Sequence, residues 1–314
     1  MKTVRIFLFI FFSIFLFSCR DADKSNNNLS IKDRAGNDII LPEKIENIAS
    51  LTPSATDIIL SLGISDKIIA FDSTSKEILY TNNIDVSNIP VFDMLNPDSE
   101  KIIAMKPDIV FVNNLSVFSL KNFVRFYKSF RRICVGVILK RDTIKSIEDD
   151  ITFLSNVLNK SDAASNIINI MNKNIENIRT IGESIQNKKK VYFEIAALPN
   201  LYSFGTNVYI DDMINIIGAS NVFSDKNSWI STSEENILLF SNPDIIFTSA
   251  DYIDNPTEEI LKRKSWSNIN AVKNKDVYYI ASSSLPTHNI VNAMIMMAKY
   301  TYPNEYKDIE IIRN

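Results

Sequence analysis

The sequence predicts an α/β protein with two similar lobes, each built around a mostly parallel sheet, and one long α-helix that bridges them. The first observation is a duplicated helix pattern: DIILSLGIS, from Asp57, returns with the same spacing as DMINIIGAS, from Asp212. The second is a duplicated helix-to-strand pattern, EKIIAMKPDIVFV from Glu100 and ENILLFSNPDIIFT from Glu235. Two matching units in the same order indicate two lobes of one design, with a candidate ligand cleft between them.

The first lobe is predicted over residues 31–142, where short apolar runs alternate with helical patterns. Gly36 lies between two alternating segments and predicts a hairpin. Gly63 follows apolar residues at helical spacing and predicts the end of a helix. Asn96 and Pro97 predict a helix start, because Asn accepts hydrogen bonds from free amides and Pro fits the first turn. The other elements are a helix near 118–130 and buried parallel strands at Ile48–Leu51, Ile68–Phe71, Ile109–Val112 and Ile133–Leu139.

Residues 143–187 are predicted to be helical and to connect the lobes. An amphipathic helix is expected over 143–158, and a second stretch, from about 161 to 186, keeps apolar residues at helical spacing with only Gly182 interrupting it. A helix of this length can bridge two lobes as a stiff strut. The alternative is a plain surface helix of one larger domain.

The second lobe, predicted over residues 188–314, repeats the plan of the first. Apolar runs predict strands, and Gly218 predicts the end of a helix, as Gly63 does in the first lobe. The strands are expected at Val191–Ile195, Ile245–Thr248 and Val277–Ile280, with further helices from about residue 232 and from about His288 to Lys299.

The N-terminus has the pattern of an export signal. Lys2 and Arg5 precede an apolar run from Ile6 to Phe17, which is short for a membrane-spanning helix. The string LFSC resembles the bacterial lipoprotein signal. We therefore expect a signal peptide over 1–18, an acylated Cys19, and a flexible tether over 19–30 that holds the protein on the periplasmic or cell-surface side of a membrane. The alternative is an ordinary secretory signal with a chance cysteine.

The composition disfavours several classes of function. The chain carries 34 basic and 37 acidic residues and shows no basic stripe, which disfavours nucleic acid as a partner. A single histidine, six glycines and no CxxC, phosphate-loop or dinucleotide fingerprint argue against an enzyme and against a bound cofactor. A hydrolase using His288 with a Ser and an Asp is the open enzymatic alternative, although no nucleophile motif supports it. We expect a monomer.

The residues predicted to border the cleft lie in loops that follow strand ends. Several of these loops combine aromatic and small hydroxyl residues, as an amphipathic organic ligand requires. Phe204 is a further aromatic candidate, and packing explains each aromatic residue equally well. The candidates are Thr52, Ser54, Asp72, Asn113, Tyr202, Trp229, Tyr252 and His288.

The chain resembles a known family from about residue 31 to about residue 304. The resemblance rests on IASLTPSATDIILSLG, NPDSEKIIAMKPDIVFV, YSFGTNVYIDDMINIIGASNVF and AVKNKDVYYI, in that order. These strings are similar to those of the helical-backbone substrate-binding proteins of bacterial ABC importers, which serve cobalamin, haem and ferric siderophores. The resemblance implies two lobes joined by a rigid helix, ligand in the cleft, and modest closure on binding.

The resemblance also implies how the protein meets its transporter. In this family one glutamate near a helix start in each lobe docks onto arginines of the membrane permease. The matching positions are Glu100 and Glu235. A local explanation stays open, because Glu favours a helix N-terminus and Thr232 to Glu235 fits a capping box.

The ligand implied by the resemblance is an iron complex, either a ferric siderophore or haem. Trp229 matches a position where cobalamin binders place a stacking Trp, but Asp72, Met94 and Asn113 stand near the other aromatic positions, so cobalamin is the alternative. Met94 or His288 could supply an axial ligand to haem, and Lys76 or Arg141 could meet an anionic siderophore. More remote alternatives are a receptor for free metal ions, which one histidine disfavours, and an adhesive surface lipoprotein.

Overall fold

The computed structural model describes residues 30–113, 134–137, 143–282 and 285–313. The predicted signal peptide, Cys19, nearly all of the tether, the helix near 118–130 and Arg141 lie outside these residues. No helix in the described ranges is both long and apolar enough to cross a membrane.

A five-stranded parallel sheet forms the centre of the first lobe. It follows a short antiparallel hairpin of β1 (Ser30–Lys32) and β2 (Asp38–Ile40). The strands are β3 (Ile48–Ser50), β4 (Ile68–Asp72), β5 (Val91–Phe92), β6 (Ile109–Val112) and β7 (Cys134–Val137). Their order in the sheet is β5-β4-β3-β6-β7, and β3 and β6 are buried along their whole length, as expected for central parallel strands. The helices described between them are α1 (Pro53–Ser61), α2 (Lys76–Thr81) and α3 (Ser99–Ala104).

The prediction that Asn96 caps a helix beginning at Pro97 is wrong by two residues. Asp98 is the N-cap of α3, and its carboxylate accepts a hydrogen bond from the backbone amide of Lys101 at 3.1 Å. The carboxylate of Asp93 instead accepts the amides of Leu95 and Asn96, which holds this segment in a turn. Because the Asp93 carboxylate binds these two amides, residues 93–96 form a turn and the helix begins only after it.

Two helices, α4 (Ile144–Val157) and α5 (Ser161–Ser184), connect the two sheets. At 1.5 Å per residue the 24 residues of α5 extend about 36 Å. The helix α4 packs against α1 of the first lobe and against α5, while α5 also packs against two helices of the second lobe. The long predicted helix, together with α4, therefore bridges the lobes.

The second lobe has a four-stranded parallel sheet. Its strands are β8 (Lys190–Glu194), β10 (Ser220–Asn221), β12 (Ile245–Thr248) and β13 (Val277–Tyr279), in the order β10-β8-β12-β13. Beside it, β9 (Tyr202–Phe204) and β11 (Trp229–Ser231) form an antiparallel ribbon. The helices are α6 (Tyr209–Ile216), a π-helix (Asn236–Ser241), α7 (Pro256–Leu261), α8 (Asn270–Asn274) and α9 (Ile290–Thr301). The predicted fold class, two α/β lobes with parallel sheets and a bridging helix, is confirmed.

Gly182 explains the interruption in the apolar pattern of the bridging helix. A methyl group placed at Gly182 would overlap the carbonyl oxygen of Ile216 and lie 2.8 Å from the amide nitrogen of Gly218. Gly218 itself ends α6 with a φ of +80°, a conformation that glycine adopts without strain. The bridging helix and the end of α6 thus touch backbone to backbone, because neither side of the contact carries a Cβ atom.

The duplicated aspartates make related contacts, each with the start of a helix outside its own lobe. Asp57 on α1 accepts two hydrogen bonds, of 2.8 and 3.0 Å, from the side-chain amide of Asn289, which immediately precedes α9 of the second lobe. Asp212 on α6 accepts a hydrogen bond of 3.0 Å from the backbone amide of Ile144, the first residue of α4. In each case the aspartate of one lobe holds the start of a helix that follows the sheet of the other.

His288 lies at the same contact and not in the cleft wall. Its Nε2 atom lies 2.9 Å from the hydroxyl oxygen of Ser61, and its Nδ1 atom lies 3.9 Å from the carboxylate of Asp57. The Nδ1 atom is buried and has no hydrogen-bond partner. Burial lowers the pKa of His288, and the charge of Asp57 acts in the opposite direction without cancelling it.

We predict that Gly182→Ala lowers the free energy of unfolding by about 2 kcal/mol or more, because the added methyl group forces the bridging helix away from α6. Urea unfolding followed by circular dichroism measures this change. Glu183→Ala, at the exposed neighbouring position, is the matched control and is expected to change stability by less than about 0.5 kcal/mol. Equal stability of Gly182→Ala and wild type would contradict the close contact.

We predict that His288→Gln reduces the loss of stability that accompanies acidification. The unfolded chain takes up the imidazole proton near pH 6.5, whereas the folded protein takes it up only at a lower pH. Between these values the unfolded state binds more protons, so wild-type stability falls as the pH falls below about 6.5. Unfolding free energies at pH 7.5 and pH 5.5 should therefore differ less in the variant; an identical difference in both proteins would contradict the prediction.

Candidate ligand-binding site

A cleft of about 770 Å³ lies between the two lobes and is lined by residues of both. The first-lobe wall comes from the start of α1, the turn after β4, and α2. The second-lobe wall comes from α6, the β9–β11 ribbon, and the loops after β12 and β13. These positions match the expectation that loops at strand ends border the site.

Asp72 supports the first-lobe wall from beneath. It is fully buried at the end of β4, and its carboxylate accepts hydrogen bonds from the amides of Thr74 and Ser75 at 3.0 and 3.1 Å and from both hydroxyl groups. Burial raises its pKa, although these hydrogen bonds oppose the shift. The structure therefore places Asp72 under the turn that presents Ser73 and Thr74 to the cleft.

Thr52 and Ser54 are also buried, on either side of Pro53. Pro53, the first residue of α1, lines the cleft itself. The hydroxyl oxygens of Thr52 and Ser54 lie 3.4 Å apart, and the carbonyl oxygen of Thr52 accepts the amide of Thr56 at 3.1 Å. These two candidates shape the helix start that faces the cleft.

Trp229 is the centre of an aromatic group in the second-lobe wall. Its ring is nearly parallel to that of Tyr202, with centroids 6.3 Å apart and planes 4° apart. Phe204 and Tyr209 meet it edge-on, with centroids 5.8 and 6.4 Å away. Trp229 and Tyr209 line the cleft, so three rings fix the orientation of an indole that faces the ligand space. We refer to these four residues as the aromatic platform.

Asp251, Tyr279 and Ser282 form a polar group in the same wall. The Tyr279 hydroxyl donates a hydrogen bond of 2.7 Å to the Asp251 carboxylate, and the Ser282 hydroxyl donates to its other oxygen. Burial raises the pKa of Tyr279, and the charges of Asp251 and Glu77 raise it further. The phenol therefore stays protonated at neutral pH and acts as a donor.

The structure separates the remaining candidates. Met94, Asn113 and Lys76 line the first-lobe side of the cleft, and the Lys76 ammonium lies 5.7 Å from the ring centroid of Tyr80. Tyr252 lies outside the cleft wall: its side chain is 69% exposed and its hydroxyl accepts the amide of Ala197 at 2.8 Å.

Sequence reasoning did not single out Glu77, Asp251, Tyr279 or Ser282, although it named Tyr252, the residue that follows Asp251. Tyr252 was a candidate because it is aromatic. For Tyr279, the alternation of side chains along β13 is the signal that the sequence offers. Tyr278 packs against Phe247 and stacks on Tyr300 at 4.1 Å, so the next residue, Tyr279, points to the other face. Within the described ranges no group of three or more His, Cys, Asp or Glu residues is placed to hold a metal ion.

Glu100 and Glu235 are both exposed near helix starts, one in each lobe. The predicted capping box at Glu235 is wrong, because the hydroxyl of Thr232 is buried without a hydrogen-bond partner and the hydroxyl of Ser233 accepts the Asn236 amide instead. The neighbouring Glu234 faces inward and accepts the Trp266 indole at 2.8 Å. The capping box therefore does not account for Glu235, whereas the favourable position of a Glu in the first turn of a helix applies to both Glu100 and Glu235.

The chain is similar to known binding proteins over most of its length. It is 25% identical over 288 residues to the uncharacterised ABC transporter substrate-binding lipoprotein YvrC of Bacillus subtilis, covering 89% of this chain and 87% of YvrC. It is 27% identical over 241 residues to the high-affinity heme uptake system protein IsdE of Staphylococcus aureus, covering 73% and 77% of the two chains.

The fold is also that of a solved binding protein. The molybdate-bound structure of MolA from Haemophilus influenzae superposes with a TM-score of 0.74 at 21% identity, covering 90% of this chain and 94% of MolA. The model of the periplasmic binding protein family matches residues 48–283, which is well over half of the chain. The duplicated lobes, the cleft and this match agree with the family that the sequence motifs indicated, and the chain belongs to the periplasmic binding protein family, whose members are substrate-binding proteins of transport systems.

Proposed function

We propose that the protein is an extracytoplasmic lipoprotein that captures an iron complex, either a ferric siderophore or haem, and delivers it to the permease of an ABC importer. The observation that carries the proposal is a cleft of about 770 Å³ with the aromatic platform in its wall. This volume lies in the range of sites for organic ligands, and an indole held by three rings offers a fixed apolar face to an organic chelate. Capture and release require no bond-making chemistry.

The charges of the described cleft walls support an organic metal complex more than a bare oxyanion. IsdE is named for heme uptake. MolA is named for molybdate, a small dianion. The described cleft walls here carry one cation, Lys76, beside the carboxylates of Glu77 and Asp251, which suits a small dianion poorly.

Cobalamin is the alternative ligand, because the same aromatic platform could stack on a corrin edge. Ligand capture would shift the lobes toward a closed state by its differential affinity for that state. The bridging helix and the two aspartate contacts limit this change to a small hinge or twist. Acylation at Cys19 would keep the protein beside its permease.

We predict that the protein, expressed as residues 20–314, carries or takes up a coloured iron complex. Its visible absorption spectrum should show a haem Soret band or a siderophore charge-transfer band, whereas a corrin spectrum would favour the alternative. Added ferric chelate or haemin should quench tryptophan fluorescence through Trp229, since the other tryptophan, Trp266, is fully buried away from the cleft wall.

Trp229→Phe is the matched variant for the fluorescence experiment. It should remove most of the quenching while retaining an aromatic ring in the wall. Failure of every iron complex and of cobalamin to quench the wild-type protein would contradict the proposal, as would equal quenching of the variant.

We predict that Glu100→Ala combined with Glu235→Ala leaves ligand affinity unchanged and lowers cellular uptake of radioactive iron chelate by about tenfold, because two charges of the docking surface are lost. The matched control combines Glu43→Ala with Glu258→Ala, which removes one exposed glutamate from each lobe elsewhere. Uptake equal to wild type in the first variant would contradict docking through Glu100 and Glu235.

A further inference from the structure

We propose that Asp251 makes the cleft selective for cargo charge, so that the ligand is a neutral or cationic complex presenting N–H or ammonium donors, and not a polyanionic one. This inference rests on the proposed function, since it concerns the cargo of the same cleft. The sequence motifs do not mark Asp251, and its role follows from its place in the wall.

The charged residues described in the cleft wall carry more negative than positive charge. Among the described lining residues, Lys76 is the one cation, and Glu77 and Asp251 are the two anions. Glu77 comes from the first lobe and Asp251 from the second, so the negative charge is presented from both walls. Their charges both act on the Tyr279 hydroxyl, which places this hydroxyl near the two carboxylates.

The carboxylate of Asp251 is held in orientation by two hydroxyl groups. Its two oxygens each accept one hydroxyl group, from Tyr279 and from Ser282. A carboxylate has about four acceptor positions, so about two remain for a ligand. The two hydroxyl groups fix the carboxylate in orientation without neutralising it, and they add no positive charge to the wall.

Iron chelates differ in net charge according to the groups that bind the metal. Three monoanionic bidentate groups, such as hydroxamates, neutralise Fe³⁺, and an added amine makes the complex cationic. Three dianionic groups, such as catecholates, leave a net charge of about −3, and the carboxylates of a porphyrin leave a negative edge. Asp251 and Glu77 repel the anionic complexes and accept the donors of the neutral and cationic ones.

The test varies cargo charge while keeping the chelate constant. The probes are the ferric complexes of a linear trihydroxamate with a free terminal amine, with that amine acetylated, and with it succinylated, which carry charges of +1, 0 and −1. Iron protoporphyrin IX and its dimethyl ester form a second pair. Binding to the full mature chain is measured by quenching of Trp229 and by calorimetry.

We expect the wild-type protein to bind the cationic chelate about tenfold more tightly than the anionic one, and the porphyrin ester more tightly than the diacid. Asp251→Asn should reduce the first ratio to about threefold or less, and Glu77→Gln should reduce it as well. Asp254→Asn, an exposed position three residues away that does not line the cleft, changes the net charge equally and should leave the ratio unchanged.

Two results would overturn the inference and leave the proposed function standing. One is equal or tighter binding of the anionic chelate by wild type, and the other is an unchanged ratio in Asp251→Asn. Failure of all five complexes to bind would contradict the proposed iron cargo itself, and the charge selectivity with it.

Discussion

The contact between Gly182 on the bridging helix and Gly218 at the end of α6 sets where the second lobe sits. Two backbones meet there without an intervening Cβ atom, and such contacts cannot be widened or rotated gradually, since close-packed interiors respond to small volume changes. Tyr302 and Tyr306 reinforce the contact by donating their hydroxyl groups to the carbonyl oxygens of Gly218 and Ile178. The bridging helix is thereby held against the end of α6, whose first residues, Tyr209 and Ile210, line the cleft.

The two aspartate contacts complete this constraint from the other side. Asp57 and Asp212 occupy equivalent positions of the duplicated helix, and each binds the start of a helix that follows the opposite sheet. The carboxylate of Asp212 meets an unpaired backbone amide at the start of α4, whereas the carboxylate of Asp57 meets the side-chain amide of Asn289. The duplication thus produces two related hydrogen-bonded contacts, and the one between Asp57 and Asn289 joins the two lobes directly.

A buried ion-pair network lies next to the second-lobe wall. Glu194 ends β8 directly before Ile195, which lines the cleft, and it receives two hydrogen bonds of 2.7 and 2.9 Å from Arg263. Burial raises the pKa of Glu194, and the hydrogen bonds and charge of Arg263 oppose that shift. Arg263 also lies 4.3 Å from the ring of Trp266, whose indole binds Glu234 beside the exposed Glu235. Removing one partner would leave a buried charge uncompensated, whereas the intact pair adds little net stability because the cost of burying both charges offsets their attraction.

The central strands, most of the helices, their order and the duplication could be predicted from the sequence, because hydrophobic periodicity and the residues that begin or end a helix act over a few neighbouring positions. The resemblance to the family came from longer motifs. The strand β12 lies at the predicted Ile245–Thr248, and the long helix also lies where the sequence predicted it. Long-range packing, in contrast, places Asp72 beneath the wall, His288 at the contact between the lobes, and Asp251 against Tyr279 and Ser282 in the cleft. These residues come together from loops distant in the chain, and the direction of a loop side chain depends on long-range packing that no local pattern encodes.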